Sequence, residues 1–266
     1  MQIATWNVNS IRTRLDQVLT WLAANPQLDL LCLQETKVID ADFPRLPFEQ
    51  LGWHVEIYGQ KSYNGVAIAS RQPLQQVRKG FGAVVPTATE LDQQKRVICG
   101  VYEGITLVNL YVPNGSEVGS DKYEYKLNWL ATLQTYLAQL SHTSPDIAVC
   151  GDFNVAPTDL DIYDPKGREQ KVMATDLERQ ALALALPNFQ DALRKFEPGG
   201  GQYSWWDYRS GGFARNRGWR IDHHYLSPSL YSRAIACWID PEPRRQPQPS
   251  DHTPVIVELA LPHKLL

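Results

Sequence analysis

Short apolar runs that break off at a polar or acidic tip are what most limit the folds open to this chain. Ile147-Ala148-Val149-Cys150 reads as a buried strand that stops at Gly151-Asp152-Phe153-Asn154. Val255-Ile256-Val257 reads as another, starting just after Ser250-Asp251-His252-Thr253-Pro254. Desolvating an unpaired carboxylate is costly or shifts its pKa, so carboxylates set beside buried strands need partners. A divalent metal or a polar site would supply them. Either string taken alone is also ordinary turn chemistry, since Gly-Asp and Ser-Asp are good turn formers.

The pattern recurs upstream. Met1-Gln2-Ile3-Ala4-Thr5-Trp6 reads as an opening strand ending in Asn7-Val8-Asn9-Ser10, where Asn9 or Ser10 is placed to cap a helix. In that helix Leu15, Val18, Leu19 and Leu22 fall at i, i+3, i+4, i+7, a stripe for one buried face. The run Leu30-Leu31-Cys32-Leu33 then ends in Gln34-Glu35-Thr36-Lys37. Further on, Ile105 to Leu110 leads to Tyr111-Val112-Pro113-Asn114-Gly115. A helix predicted over roughly Lys122 to Leu140 follows, and then the strand that delivers Asp152. Strand, polar tip, helix, strand, acidic tip thus occurs twice, a structural near-duplication with little shared identity.

A third polar stretch differs in kind. Tyr203-Ser204-Trp205-Trp206-Asp207-Tyr208-Arg209 runs through glycines and arginines to Arg217-Gly218-Trp219-Arg220-Ile221-Asp222. Aromatics interleaved with Arg209, Arg215, Arg217 and Arg220 suit a surface for phosphates and unstacked bases. They equally suit a long hairpin whose aromatics fill core while its arginines stay solvated.

With 266 residues and 43% hydrophobic content the chain can bury a sizeable core, and candidate site residues spread from Asn7 to His252 require one domain over 1–266 if they converge. A net charge of −3, from 26 basic and 29 acidic residues, argues against a polybasic binder and suits an enzyme with a locally basic groove. Cys32, Cys99, Cys150 and Cys237 lie inside apolar runs without C-x-x-C spacing, as expected of buried, reduced thiols in a cytoplasmic protein. The first residues lack a secretory-leader pattern, and no apolar stretch reaches the length of a membrane span. Pro241 to Pro249 reads as a loop delivering Asp251 and His252, and Pro198 to Gly201 as a hairpin approach.

Taken in order, seven strings resemble the exonuclease III family, the apurinic/apyrimidinic endonuclease branch of the endonuclease/exonuclease/phosphatase superfamily. They are Trp6-Asn7-Val8-Asn9, Leu33-Gln34-Glu35-Thr36-Lys37, Tyr63-Asn64-Gly65-Val66, Tyr111-Val112-Pro113-Asn114-Gly115, Gly151-Asp152-Phe153-Asn154, Trp219-Arg220-Ile221-Asp222 and Ser250-Asp251-His252. The resemblance spans the whole chain. It implies an α/β four-layered sandwich of two mainly antiparallel sheets flanked by helices, with the site where strand ends meet. It also implies a Mg²⁺- or Mn²⁺-dependent hydrolase of phosphodiesters in duplex DNA that incises 5′ to abasic sites. Exonuclease activity from 3′ to 5′, 3′-phosphatase and 3′-phosphodiesterase activities accompany it in proportions the sequence leaves open. The matching expectation is a monomer acting on double-stranded DNA with abasic sites or blocked 3′ ends, without membrane attachment.

By family position Glu35 is the leading metal ligand, with Asn7, Asp152, Asn154, Asp251 and His252 as neighbouring donors; Mg²⁺ favours carboxylates and retained waters. The resemblance makes Tyr111, Asp152, Asn154, Asp222 and His252 the catalytic set. Asp152, oriented by Asn154, would position or deprotonate the attacking water; His252, fixed by Asp222, would bind a phosphate oxygen. Tyr111 and Asn114 would hydrogen-bond the phosphate or leaving oxygen, while Lys37 adds positive charge. Trp205, Trp219 and Ile221 would line an apolar pocket for a flipped-out abasic sugar, and Asn9 and Arg217 complete the substrate-binding set. Lys122, Tyr123 and Lys126 are expected to touch the DNA backbone.

Two stretches depart from the family pattern. His223-His224 follows Asp222 where apolar or aromatic residues are usual, and strand alternation predicts that one of the two faces inward. Tyr163 to Asp176 matches poorly beyond Thr158-Asp159-Leu160-Asp161, in the region that shapes the abasic pocket. The rival readings are a relative restricted to 3′-end processing, a nonspecific DNase I-like nuclease, a lipid or inositol phosphoesterase, and a catalytically dead damage binder. The last is disfavoured because Glu35, Asp152 and His252 are all present.

Overall fold

The computed structural model describes residues 1–168 and 170–260. The chain opens with β1 (Gln2–Asn7), α1 (Ile11–Ala24), β2 (Leu30–Gln34), α2 (Arg45–Gln50), β3 (His54–Tyr58) and β4 (Val66–Ser70). There follow β5 (Gln75–Lys79), β6 (Val97–Tyr102), β7 (Ile105–Tyr111), α3 (Asp121–Ser141) and β8 (Ile147–Asp152). The remainder adds α4 (Asp176–Ala185), β9 (Gln190–Asp191), α5 (Ala192–Phe196), β10 (Asp222–Leu226), α6 (Pro228–Arg233), β11 (Ala234–Ile239) and β12 (Val255–Leu259). The strands form two six-stranded sheets, ordered β11-β12-β1-β2-β4-β3 and β5-β6-β7-β8-β10-β9. Each sheet is antiparallel except at one pair, β1–β2 in the first and β7–β8 in the second. These are the two strand–helix–strand units read from the sequence, because a parallel pair needs a crossover and a helix supplies it.

The apolar runs are nearly continuous because both faces of each central strand are covered. Ile3, Leu30 and Cys32 of the first sheet pack with Ile98, Leu107, Ala148 and Cys150 of the second, between the sheets. Their neighbours Ala4, Trp6, Leu31 and Leu33 point the other way, onto Ile11, Val18 and Leu22 of α1. On the far side Val108, Leu110 and Val149 meet Trp129, Leu133 and Leu137 of α3. Helices, sheet, sheet and helices therefore stack as four layers. Helix α1 is capped by Ser10, whose hydroxyl accepts from the Thr13 amide, and α3 by Ser120, which accepts from the Tyr123 amide at 3.3 Å. Among the described residues no helix is long and apolar enough to cross a membrane.

Two features of β8 and β10 follow from this crowding. Gly151 sits at φ 146°, and a Cβ there would lie 1.9 Å from the Leu110 carbonyl oxygen, so only glycine lets β7 and β8 close at that point. His223 and His224 are both buried, which corrects the expectation of one inward-facing histidine. Alternation does send them to opposite faces of β10, but both faces are covered. The His223 Nε2 lies 3.0 Å from the Val155 carbonyl oxygen and the His224 Nε2 2.9 Å from that of Val255. Burial, assisted by Arg220, pushes the His223 pKa down to about 4, so it is a neutral core side chain.

Arg220, on the approach to β10, is buried as well. Its Nε donates to Asp161 at 2.6 Å and its two terminal nitrogens donate to Asp191 at 3.1 and 2.6 Å. Burial alone would raise the Asp161 carboxyl, but the guanidinium of Arg220 outweighs it and holds the pKa at about 2. Arg220→Met is expected to destabilise the fold by about 3–5 kcal/mol in urea at pH 7, because it takes the cation from Asp191 and leaves Asp161 with Arg194 alone. A carboxyl with a depressed folded pKa contributes above its unfolded value and ceases to as pH falls through the folded one. The gap between wild type and variant should therefore narrow from about pH 4 towards pH 2.

Candidate active site

The parallel registers place Asn7 opposite Gln34 in one sheet and Tyr111 opposite Asp152 in the other, so each sheet ends in polar groups at the same rim. Asn7 joins the two. Its Nδ2 donates to the Glu35 carboxylate at 2.8 Å and to the Asp152 carboxylate at 2.9 Å, while its Oδ1 accepts from the Asn9 amide at 3.0 Å. Asp152 Oδ1 also accepts from the Asn154 amide at 2.8 Å. The Asn154 side chain donates to the Val112 carbonyl at 3.0 Å and accepts from Asn114 Nδ2 at 3.0 Å. Lys37 Nζ stands 2.9 Å from Glu35 and donates to Asn9 Oδ1 at 2.5 Å.

His252 reaches this cluster from the segment before β12. Its Nδ1 lies 2.9 Å from Asp222 Oδ2, and its Nε2 lies 3.8 Å from Asp152 Oδ2. The arrangement directs Nδ1–H at Asp222 and leaves Nε2 facing the site. Ser250 Oγ donates to the Asn7 carbonyl at 2.7 Å and Trp6 Nε1 to the His252 carbonyl at 3.3 Å, which fixes the segment against β1.

The electrostatics follow from burial and crowding. Burial would lower the His252 pKa, yet the carboxylates of Asp222 and then Asp152 carry it to about 10. Burial raises the Asp152 carboxyl to about 7, with Asp222 and Glu35 adding to the rise and His252 opposing it. Glu35 is lowered: burial works against this, but Lys37 and the Asn7 hydrogen bond prevail. The Tyr111 phenol is pushed well up by burial and by the neighbouring Glu35 charge, and so stays protonated.

One ligand atom each from Glu35, Asp152 and His252 lies within 4.8 Å of the others. Two carboxylates converging from separate sheets are a donor set that fits a divalent cation. Asn7 and Asn154 present N–H groups to these carboxylates and so act here as their hydrogen-bond donors. Asp251 stands apart. Its carboxylate accepts from Asn9 Nδ2 at 3.0 Å and from Trp205 Nε1 at 3.0 Å, and it lies outside the converging group.

The apolar residues form a cluster under the rim. Trp219 is 8% and Ile221 1% exposed, packed with Ala156, Ile162 and Ala174, while half-buried Trp205 and Met173 lie against them. The rings of Trp205 and Trp219 meet edge to face with centroids 6.4 Å apart. Arg217 is exposed on the loop before Trp219 and stands 5.7 Å over the Tyr163 ring. The Trp205–Asp222 segment thus combines both readings of its sequence: Trp206, Trp219 and Arg220 are buried, whereas Arg209, Arg215 and Arg217 are exposed. Tyr123 and Lys126 do not face DNA; both are buried beneath the site. Tyr123 hydrogen-bonds Thr175 at 2.6 Å, and the Lys126 ammonium is enclosed by protein acceptors.

Sequence reasoning gave no role to Gln34, Asn109 or Arg96. Gln34 Nε2 donates to Asn109 Oδ1 at 2.7 Å across the two sheets, and Asn109 Nδ2 donates to the carbonyls of Leu33 and Ala67 at 3.0 and 2.8 Å. The signal was available: an asparagine inside Ile105–Tyr111 and a glutamine ending Leu30–Gln34 are polar residues in apolar strands, and buried amides require partners. Arg96 lies 4.4 Å from the Tyr111 ring centroid and donates to the Tyr111 carbonyl at 3.1 Å, a contact no spacing announces.

Two sheets that deliver carboxylates from opposed strand ends, with an aspartate-paired histidine beside them, define an α/β-sandwich hydrolase. The pattern of the Endonuclease/Exonuclease/phosphatase family matches residues 4–252, and the chain belongs to that family. Its full-length likeness is to the exonuclease III branch. Exodeoxyribonuclease III of Haemophilus influenzae is 36% identical over 97% of this chain and 99% of its own length. Among solved structures, an AP endonuclease from Archaeoglobus fulgidus superposes with a TM-score of 0.92 at 39% identity, over 98% of this chain and all of that one. A 3′ phosphatase from Neisseria, NExo, bound to a product DNA hairpin, superposes with a TM-score of 0.93 at 39% identity and the same coverage.

The Asp222–His252 pairing has a direct check. In metal-free protein the His252 ring resonances are expected to titrate well above pH 6.5, and Asp222→Asn should lower that midpoint by about a unit or more. An unchanged midpoint would show that Asp222 does not hold the charge on His252.

Proposed function

We propose that the chain is a Mg²⁺-dependent DNA-repair nuclease acting as a monomer on duplex DNA, incising 5′ to abasic sites and processing 3′ ends. The observation that carries this reading is His252, paired through Nδ1 with Asp222 and facing Asp152 through Nε2, beside Glu35. Full-length likeness to an exodeoxyribonuclease and an AP endonuclease supports the substrate class. Four buried free cysteines fit a reducing compartment such as the cytoplasm.

Glu35 and Asp152 would hold the divalent cation, which when bound neutralises charge on the phosphoryl group; Mn²⁺ fits the same oxygens. The cationic His252, its Nδ1 occupied by Asp222, offers Nε2–H to a phosphate oxygen. Asp152 has a carboxyl near neutrality and its lone pairs are aimed by the Asn154 amide, which suits it to hold or accept a proton from the attacking water. The protonated Tyr111 phenol is a donor for the phosphate or for the leaving oxygen. Lys37 and Glu35 form a pair at the rim, where the lysine adds positive charge beside Asn9.

A reading weighted towards 3′ ends is favoured by one observation. Met173, in the stretch that fits the family poorly, packs against the Trp219–Ile221 cluster that a flipped sugar would enter. Cleavage of a labelled duplex bearing one abasic analogue, beside an intact duplex with a 3′-phosphate, separates the two readings. Abasic incision that disappears with EDTA is expected; metal-dependent activity at the 3′ end alone would establish the second reading.

Asp152→Asn and His252→Asn are each expected to lower turnover by roughly two to four orders of magnitude, the scale of lost preorganised charge stabilisation, with substrate affinity much less affected. A near-normal rate in either variant would remove the mechanism. Trp219→Ala should reduce abasic cleavage more than 3′-phosphate removal, and equal losses would make Trp219 a core residue only.

A further inference from the structure

We infer that the buried Lys126–Glu178 pair is a positioning device that sets Asn154 and Asn114 in the hydrolytic site, an inference that rests on the function proposed above. Lys126 lies on α3 and Glu178 in the first turn of α4, and both side chains are fully buried. An ammonium has three donors. Here they are used on the Asn154 carbonyl at 2.7 Å, the Asn114 carbonyl at 3.2 Å and the Glu178 carboxylate. None is left for a phosphate.

Glu178 extends the tie. It accepts from the Met173 amide at 2.9 Å, and from the Thr175 amide and hydroxyl at 3.1 and 2.8 Å. One buried cation and one buried anion thus link the loop after β7, the loop after β8 and the entry to α4. Gly115 shows how closely the first loop wraps the lysine stem, since a Cβ there would lie 3.2 Å from Lys126 Cδ.

These attachments bear on the reacting groups. Asn154 has φ 48°, a left-handed turn conformation that asparagine tolerates, and its surroundings fix it there. Its carbonyl is fixed by Lys126 while its amide donates to Asp152 at 2.8 Å, and its side-chain oxygen accepts from Asn114. Release of the carbonyl would free ψ at Asn154 and loosen the turn that sets its side chain between Asn114 and Asp152, 3.3 Å from the Asp152 carboxylate. The pair therefore acts through Asn154 and Asn114 and touches no substrate.

Lys126→Met alone would leave an uncompensated carboxylate in the interior and is expected to compromise folding. The test uses Lys126→Met/Glu178→Gln, which removes both charges and keeps the volume. At a temperature where both proteins are folded, kcat on an abasic or 3′-phosphate duplex is expected to fall roughly 10- to 100-fold, with KM changing less than about threefold. The side-chain amide NMR signals of Asn114 and Asn154 should move, while that of Asn9, held by Lys37 and Asp251, should not. Unchanged kcat with unmoved signals would overturn the inference. A raised KM at constant kcat would overturn it too, by making Lys126 a DNA-binding residue. Should the wild type cleave neither duplex, the proposed function fails by itself, and the Asn114 and Asn154 signals alone decide the inference.

Discussion

The contact between the two sheets governs everything built at their rim. Ile3, Leu30 and Cys32 face Ile98, Leu107 and Cys150 in an apolar layer, and near its end the buried amides Gln34 and Asn109 bond across it. A hydrogen bond in such a place tolerates little sliding, because separation would leave the buried Asn109 side-chain oxygen unsatisfied at a cost of about 1–3 kcal/mol. Asn7 repeats the device one step outward, with one donor on each sheet's carboxylate. The spacing between Glu35 and Asp152, on which any shared cation depends, is thus set by sheet packing and not by loop flexibility.

The charges gathered there are unbalanced. Glu35, Asp152 and Asp222 are met by Lys37 and His252, leaving one negative charge in excess when Asp152 is ionised. Like charges about 4 Å apart cost about 4 kcal/mol at the effective dielectric of a partly wet site. In the protein alone, burial, with Asp222 and Glu35 adding to it, raises the Asp152 carboxyl to about 7, and the carboxylates hold His252 cationic. A divalent ion would answer the same repulsion directly.

Backbone conformation carries a share of this design. Asn9, Glu35, Lys37 and Asn154 all have positive φ, between 45° and 55°. Asparagine tolerates that region, whereas glutamate and lysine do so at a cost that packing must offset. Lys37 is held by a backbone bond to the Asn64 carbonyl at 2.9 Å, and Asn154 by the buried lysine beneath it. Side chains that point into the site do so because the chain turns sharply at strand ends, and the turns are anchored from below by the layer they leave.

Local periodicity and capping, properties of residues a few positions apart, determined the strands β1, β2, β7, β8 and β12, the α1 and α3 helices, a cap at Asn9 or Ser10 and the two strand–helix–strand units without reference to the fold. The ordered motifs also named most of the side chains that meet at the rim. The tertiary structure alone decided their partners. Asp222 and Arg220 are two residues apart, yet one faces His252 and the other Asp161 and Asp191, because adjacent layers offer each a different neighbour. Lys126 looks like a DNA contact in the sequence and is a buried tie, since Glu178, fifty-two residues away, lies over it. A charge is defined by what surrounds it, and those surroundings are assembled from distant parts of the chain, as when Asn7 reaches Asp152 across 145 residues.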